Sequence, residues 1–376
     1  MLIGTQELSF KDKIKQINWI LVLMITALAG IGIISLYSAG GGSMDPWASR
    51  QLVRFFFSLI LMLVVAVIDI RFWYNVSYII FGGGLLLLVI VEIMGHIGMG
   101  AQRWINLGII QLQPSELMKA AVVMTLARYF HSVSLEDLRR PMVLVVPAMI
   151  IGLPVSLVLL QPDLGTSIMI AGAGVGIMFL AGIPIWVFLL GGAGLAGAVP
   201  IAWELMHEYQ RKRVMTFLNP ESDPLGSGYH IMQSKIALGS GGFNGKGFLV
   251  GTQSHLNFLP EKQTDFIFTL WAEEWGFVGG MALILLLATI CTYCVVIALK
   301  TRFHYGRLLA YGLCLNFFLY ICINIGMVMG LIPVVGAPLP LVSYGGTSML
   351  TMMVSFGLVM SVYIHRDIKT ARLPGG

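Results

Sequence analysis

The sequence predicts an all-α fold: a polytopic membrane protein with about ten transmembrane helices and one large external loop. Three observations predict it. Hydrophobic residues make up 57% of the 376 residues and charged residues 11%, with a mean hydropathy of +0.86, where a soluble domain carries roughly 25% charge. Apolar runs of helix length recur along the chain, and basic residues gather in alternate connections between them. Soluble cytosolic and nucleic-acid-binding classes are excluded. The net charge of +5 needs no nucleic acid, because membrane proteins collect Lys and Arg in short cytoplasmic loops.

A hydrocarbon core about 30 Å thick needs around 20 apolar residues per helix. On that ruler the spans fall near 18–38, 52–69, 74–94, 114–130, 142–160, 166–181, 184–202, 266–299, 307–331 and 342–364. The first follows Lys11, Lys13 and Lys15 and runs from about Trp19 to Tyr37. That is longer than a signal-peptide core, so it reads as an uncleaved span with a cytoplasmic N-terminus. Small residues at Gly82-Gly83-Gly84, Gly172–Gly176 and Gly191–Gly197 suit close helix approach in lipid. The eighth span is too long for one crossing, at about 51 Å for a 1.5 Å rise per residue. Its first turns, Asp265 to about Gly276, are expected at the outer interface, with a bend near Gly279-Gly280. Cys291, Cys294, Cys314 and Cys322 all lie in apolar spans and read as packing residues.

Charge gives an independent test of topology. The short cytoplasmic segments hold Lys11, Lys13, Lys15, Arg71, Arg128, Arg139, Arg140, Lys300, Arg302, Arg307, Arg366, Lys369 and Arg372. The short external turns hold Arg50, Arg54 and Arg103. This asymmetry follows the positive-inside rule and puts both termini in the cytoplasm. The polar, Gly-rich insert at 203–264 is then external. The whole chain, 1–376, reads as a single membrane domain with that loop inside it.

Polar groups beside a bilayer are functional candidates by default. Asp265 opens the eighth span, where it either caps the helix and meets its dipole or does chemistry; Thr264 can serve as N-cap instead. The insert holds Gln210-Arg211-Lys212-Arg213 and a Gly-rich run around Lys246. Cations plus backbone N–H groups of such a turn suit an anion, phosphate above all, although an ordinary compact loop reads the same way. A nucleotide-binding P-loop is excluded, since Ser240 and Gly247 break its pattern. Glu116 and Lys119 share one face of the fourth span and can pair, with Asp163 a further partner. Lys119 either orients helices in that way or reaches an anionic substrate group. Arg103 adds an external cation, and Trp104 an interfacial anchor. The sequence has no HxxxH or HExxH. A hard cation held by Asp265 and substrate phosphates stays open.

These residues also carry a resemblance. The run from Asn324 through Gly330-Leu331-Ile332-Pro333-Val334-Val335-Gly336 to Leu341-Val342-Ser343-Tyr344-Gly345-Gly346-Thr347-Ser348 is similar to the signature of the SEDS family (shape, elongation, division and sporulation). Gln161-Pro162-Asp163-Leu164-Gly165-Thr166, the Glu116/Lys119 pair and the Leu259-Pro260-Glu261 to Asp265-Phe266 segment match in order. The loop from Tyr209 to Lys235 resembles the rod-elongation members more than the division members.

The resemblance implies an inverting peptidoglycan glycosyltransferase of the bacterial inner membrane. Such an enzyme polymerises lipid II into β-1,4-linked glycan, releases undecaprenyl diphosphate and works with a class B penicillin-binding protein. Asp265 matches the family's catalytic aspartate. Lys119, Arg213, Arg103, Gln210 and Lys246 are the expected substrate contacts, with Glu116, Asp163 and Ser343 orienting them. A divalent cation, magnesium or manganese, is the one cofactor left open; otherwise none is expected. The competing reading is a carrier that flips lipid II, which would place its polar groups near the midplane.

Overall fold

The computed structural model describes residues 9–94, 96–98, 101–106, 111–134, 136–206, 208, 211, 214–216, 219, 227–255 and 261–367. A short helix α1 (Phe10–Lys15) precedes α2 (Trp19–Ala39), α3 (Ala48–Val67) and α4 (Ile70–Met94). Then come α5 (Pro114–Ser132), α6 (Pro141–Leu160), α7 (Leu164–Leu180) and α8 (Ile185–Leu205). The large insert contributes α9 (Ser227–Ser240) and α10 (Thr252–His255), and α11 (Ile267–Lys300), α12 (His304–Val328) and α13 (Gly346–Ile364) complete the bundle.

Each of the ten expected spans has its helix, α2 to α8 and α11 to α13. Among the described residues, seven helices are long and apolar enough to cross a bilayer by length and composition. The others depart for visible reasons. Helix α5 buries Glu116 and Lys119 among its turns, α7 has 17 residues, and α8, apolar through Trp203, carries Pro200 in its interior. Gly174 and Gly176 pack against Ile151 and Leu315 as the small-residue reading expects, but Gly82, Gly83, Gly191, Gly192, Gly194 and Gly197 face open space. All four thiols are free, on α11 and α12.

Two parts of the face expected to be external differ from the sequence reading. The turn carrying Arg103 is a small antiparallel sheet, β1 (His96–Gly98), β2 (Ala101–Asn106) and β3 (Gln111–Leu112), with β2 central. Inside the insert, α9 buries Gly228, Ile231, Ser234 and Ala237, a spacing that puts each beside the next on the helix surface. The Ser234 hydroxyl donates to Val328 O (2.9 Å) and lies 2.8 Å from Thr269 Oγ1. This pins α9 across α11 and α12.

Helix α11 is broken at Gly276, with φ 64 and ψ −161, three residues before the expected bend. The cause is another segment. In an unbroken helix the N–H groups of Phe277 and Val278 would bond to Glu273 O and Glu274 O. Here Phe277 N donates to Gly242 O (2.9 Å) and Val278 N to Phe243 O (3.2 Å). The freed carbonyls accept from Lys246 N and Gly247 N, at 3.0 Å each. The glycine-rich loop is spliced into the ladder, and both sides of the break are satisfied. Gly276 is required twice over: its dihedrals are essentially glycine-only, and a Cβ there would stand 2.6 Å from Phe243 O.

Below the break, residues 277–300 rise about 36 Å at 1.5 Å each, enough for one crossing. Above it, every residue from Ile267 to Glu274 is buried, enclosed by α9, the spliced loop and the α12–α13 connection.

Candidate active site

Asp265 closes a tight turn that begins at Glu261, whose φ is 55. Thr264 N and Phe266 N donate to Glu261 O (3.0 and 3.4 Å). Glu261 Oε2 accepts from Thr264 Oγ1 (3.0 Å) and Gln263 Nε2 (3.3 Å). The Thr264 hydroxyl is thus turned back on the loop and does not cap α11. The N-cap is Phe266, with no side-chain cap.

The signature run, from Asn324 in the last turns of α12 through the connection to α13, folds over this turn and holds three consecutive carbonyls. Tyr344 N donates to Gln263 O (2.8 Å), Ser343 Oγ to Thr264 O (2.6 Å) and Asn324 Nδ2 to Asp265 O (2.9 Å). Each holder is itself held. Asn324 Nδ2 also donates to Ala337 O (2.7 Å), Leu339 N donates to Ser343 Oγ (2.8 Å), and the buried Gln51 Nε2 donates to Ser343 O (2.9 Å). On the outer side of the clasp, Arg54 stacks on the Tyr344 ring, 4.7 Å from its centroid. A Cβ on Gly32 of α2 would meet Leu341 O at 2.7 Å; only glycine there lets the run seat so deeply. The result is a partly exposed aspartate whose main chain is held at three successive carbonyls. Its Oδ2 lies beside Gly336, 3.6 Å from where a Cβ would project.

The neighbouring residues Ile332, Pro333, Val334 and Val335 wall an apolar cavity of about 270 Å³, closed on its far side by Leu164 and Ile168 of α7 and by Ile323. Pro162 reaches its rim. Arg103 sits behind that rim: Nε donates to Gln161 O (3.0 Å), Nη2 to Pro162 O, and Nη1 lies 3.7 Å from Asp163 Oδ2. This cation terminates α6 and stays partly exposed. Asp163 caps α7 through Thr166 N (3.2 Å) and Thr166 Oγ1 (3.0 Å), and accepts from Gln113 Nε2 (3.4 Å).

The expected Glu116–Lys119–Asp163 cluster therefore separates. Lys119, fully buried, donates to Glu116 Oε1 (2.6 Å) and to the Tyr320 hydroxyl, which donates to Glu116 Oε2 (2.5 Å). Tyr320 on α12 is the partner that sequence spacing did not reveal. Lys246 bonds Glu273 Oε1 (2.8 Å) and Thr252 Oγ1 (2.6 Å), and the Gly-rich N–H groups around it serve the α11 break rather than an open cradle. Arg213 and Gln210 lie outside the described residues.

Three acidic or basic groups escaped the sequence reading. Glu273 and Glu274 are buried within the first segment of α11, with the Ser38 hydroxyl on Glu274. Lys262 is buried beside the Asp265 turn, and desolvation lowers its ammonium pKa from the usual 10.5. Lys262 sits in a polar stretch that looks solvated, whereas Glu273 and Glu274 lie within the apolar run 270–278 and carried a usable signal there. No group of three or more His, Cys, Asp or Glu among the described residues could hold a metal ion.

Comparison with known proteins gives a consistent picture. The family model for FtsW, RodA and SpoVE, described as cell cycle protein, matches residues 15–368. The peptidoglycan glycosyltransferase MrdB of Escherichia coli K12 is 44% identical over 365 residues, covering 96% of each chain. A chain from a structure described as structural coordination of polymerization and crosslinking by a peptidoglycan synthase complex superposes with a TM-score of 0.83 at 32% identity. That match covers 94% of this chain and 99% of that one. The crystal structure of the rod shape determining protein RodA from Thermus thermophilus gives a TM-score of 0.71 at 28% identity, covering 94% and 98%.

Proposed function

The chain belongs to the FtsW/RodA/SpoVE family and is a peptidoglycan glycosyltransferase, and on that premise we propose that Asp265 is the general base of lipid II polymerisation. Donor lipid carries its sugar α-linked to diphosphate, and the product bond is β-1,4, so one in-line displacement inverts the anomeric carbon. The acceptor 4-hydroxyl loses its proton to Asp265 as its oxygen bonds to that carbon. The bond to the diphosphate breaks, and undecaprenyl diphosphate leaves with the electron pair. A single base suffices, with no second carboxylate nucleophile, and a positioned base contributes about 10²–10⁴-fold.

The observation that carries this reading is the clasp: a partly exposed aspartate on a main chain held at three successive carbonyls. Such fixing suits a group that must meet a hydroxyl in one geometry. The adjoining apolar cavity suits the first isoprenoid units of a lipid entering sideways from the outer leaflet. Of the described cations, Arg103 is the candidate to meet diphosphate, since it is partly exposed and bonds the carbonyl of Pro162, which lines the cavity. Lys119 is committed to Glu116 and Tyr320, which suits orientation of α5 against α12. Arg213 is the candidate from the insert. A hard divalent cation would find one carboxylate here, Asp265, and would take its remaining ligands from substrate phosphates and water.

The same reading places the chain in the bacterial inner membrane with this face periplasmic, serving cell elongation and rod shape. It assigns a class B penicillin-binding protein as partner. An outward-facing apolar groove of about 520 Å³ between α11 and α12, lined by Ile284, Leu287, Phe318, Ile321 and Leu331, suits a partner's membrane helix.

Asp265→Asn and Asp265→Ala test the chemistry. Purified and inserted normally, both should make no glycan from lipid II while the unaltered chain does. Near-normal polymerisation by either variant sinks the assignment. Transbilayer movement of lipid II without polymer from the unaltered chain would favour a carrier.

A further inference from the structure

The splice between the glycine-rich loop and the broken helix is locked by one buried carboxylate. Glu273 is fully buried, and its Oε1 accepts from Lys246 Nζ (2.8 Å), Gln253 N (2.9 Å) and Thr252 Oγ1 (3.4 Å). A buried carboxylate is tolerated only with such partners, so the loop cannot lift from the break without stranding it. The same residue's carbonyl accepts Lys246 N. Main chain and side chain of Glu273 thus grip main chain and side chain of Lys246.

This grip lies at the lower end of the buried segment Ile267–Glu274, and the clasp on Gln263, Thr264 and Asp265 lies at its upper end. Two helical turns join them. If the lower end slides, the helix moves as a rigid unit and carries Asp265 against its clasp.

We propose that Glu273, gripped by Lys246, is a positioning residue for glycosyl transfer: it locks the glycine-rich loop into the α11 break and so sets the place of the Asp265 carboxylate. The inference rests on Asp265 being the base. It assigns Lys246 a partner inside the protein instead of a phosphate of the substrate, and the two roles predict different kinetics.

The test uses the full-length purified chain and a lipid II polymerisation assay. Lys246→Met and Glu273→Gln should lower kcat at least tenfold and leave KM within twofold, and Lys246→Arg should retain most turnover. The Phe243 and Phe277 rings stack at 5.8 Å, and Val278 N bonds Phe243 O. A Phe243→Cys, Phe277→Cys pair, oxidised with copper phenanthroline, therefore ties the loop to the break without touching Lys246. In the Lys246→Met background this tie should restore at least half of the lost turnover, and a thiol reductant should remove the gain. Substrate contact by Lys246 would instead raise KM with kcat unchanged, and the tie would restore nothing. Either result overturns the proposal, as does full turnover in both single variants. If Lys246→Met fails to fold, the same variant made with the tie in place carries the comparison. Polymerisation by Asp265→Asn would remove the reading beneath the proposal. With that control inactive, a tie that forms and restores nothing removes the positioning role alone.

Discussion

Replacing Asn324 by Leu isolates what the clasp contributes. The two side chains have nearly the same shape, and the site is fully buried. The change removes the amide that donates to Asp265 O at 2.9 Å and to Ala337 O at 2.7 Å. Each stranded carbonyl costs about 1–3 kcal/mol, about 2–6 for the pair. Asn324 Oδ1 is itself buried without a partner, so its removal returns about 1–3 kcal/mol. The net loss of stability should be modest, about 1–3 kcal/mol. The loss of turnover should be larger than that implies, because a displacement of about 1 Å in a reacting group costs about 10²-fold. Thermal unfolding in detergent reads the first quantity and lipid II polymerisation the second. A variant with a clearly lowered Tm but normal turnover would show that the clasp supports the fold without placing Asp265, and the reasoning would fail.

Lys119→Met leaves the Glu116 carboxylate buried against Tyr320 and Thr351, which should cost about 3–5 kcal/mol. Adding Glu116→Leu should recover most of the Tm, and equal unfolding curves for the single and double variants would contradict this. Gly276→Ala forces a Cβ into a glycine-only conformation, about 1–3 kcal/mol of strain before any clash. Gly194→Ala, with nothing within 4 Å, should be neutral, so similar Tm values for the two would refute the splice. At the C-terminal end of α13, burial lowers the His365 pKa from 6.5, partly opposed by Ser361 O and Asp69, with Lys13 and Arg71 adding to the fall. The unfolded chain then binds the proton more readily, so stability present above pH 6.5 declines as pH falls below it. His365→Phe should flatten that part of the Tm-versus-pH curve, and an unchanged slope would assign it elsewhere.

The spans were legible in the sequence because hydrocarbon thickness is a rigid ruler and leaves few alternatives to an apolar helix. Strands of two to six residues between Gly and polar positions offer no comparable period, and the sheet at Arg103 escaped notice. Helix α9 was hidden by its polar composition, although Ile231, Ser234 and Ala237 keep helical spacing. The bend in α11 was assigned to Gly279-Gly280 because paired glycines weaken a helix locally. Its actual place was set by residues 242–247, which no local reading of α11 includes. The candidate site divides the same way. Asp265 stands out as a carboxylate at the mouth of an apolar run. Which acid holds which base is decided in three dimensions, so Lys246 went to Glu273, Asp163 to Arg103, and Tyr320 joined Lys119 unannounced.

The interruption at Gly276 also separates two duties that a continuous helix would merge. The lower 24 residues of α11, 277–300, answer to the lipid and can tilt or shift as the bilayer thins or thickens, at a modest cost per ångström. The upper segment answers only to protein. Hydrophobic mismatch falls on the lower residues, while the splice and the clasp hold the carboxylate at its address when the surrounding membrane changes its dimensions.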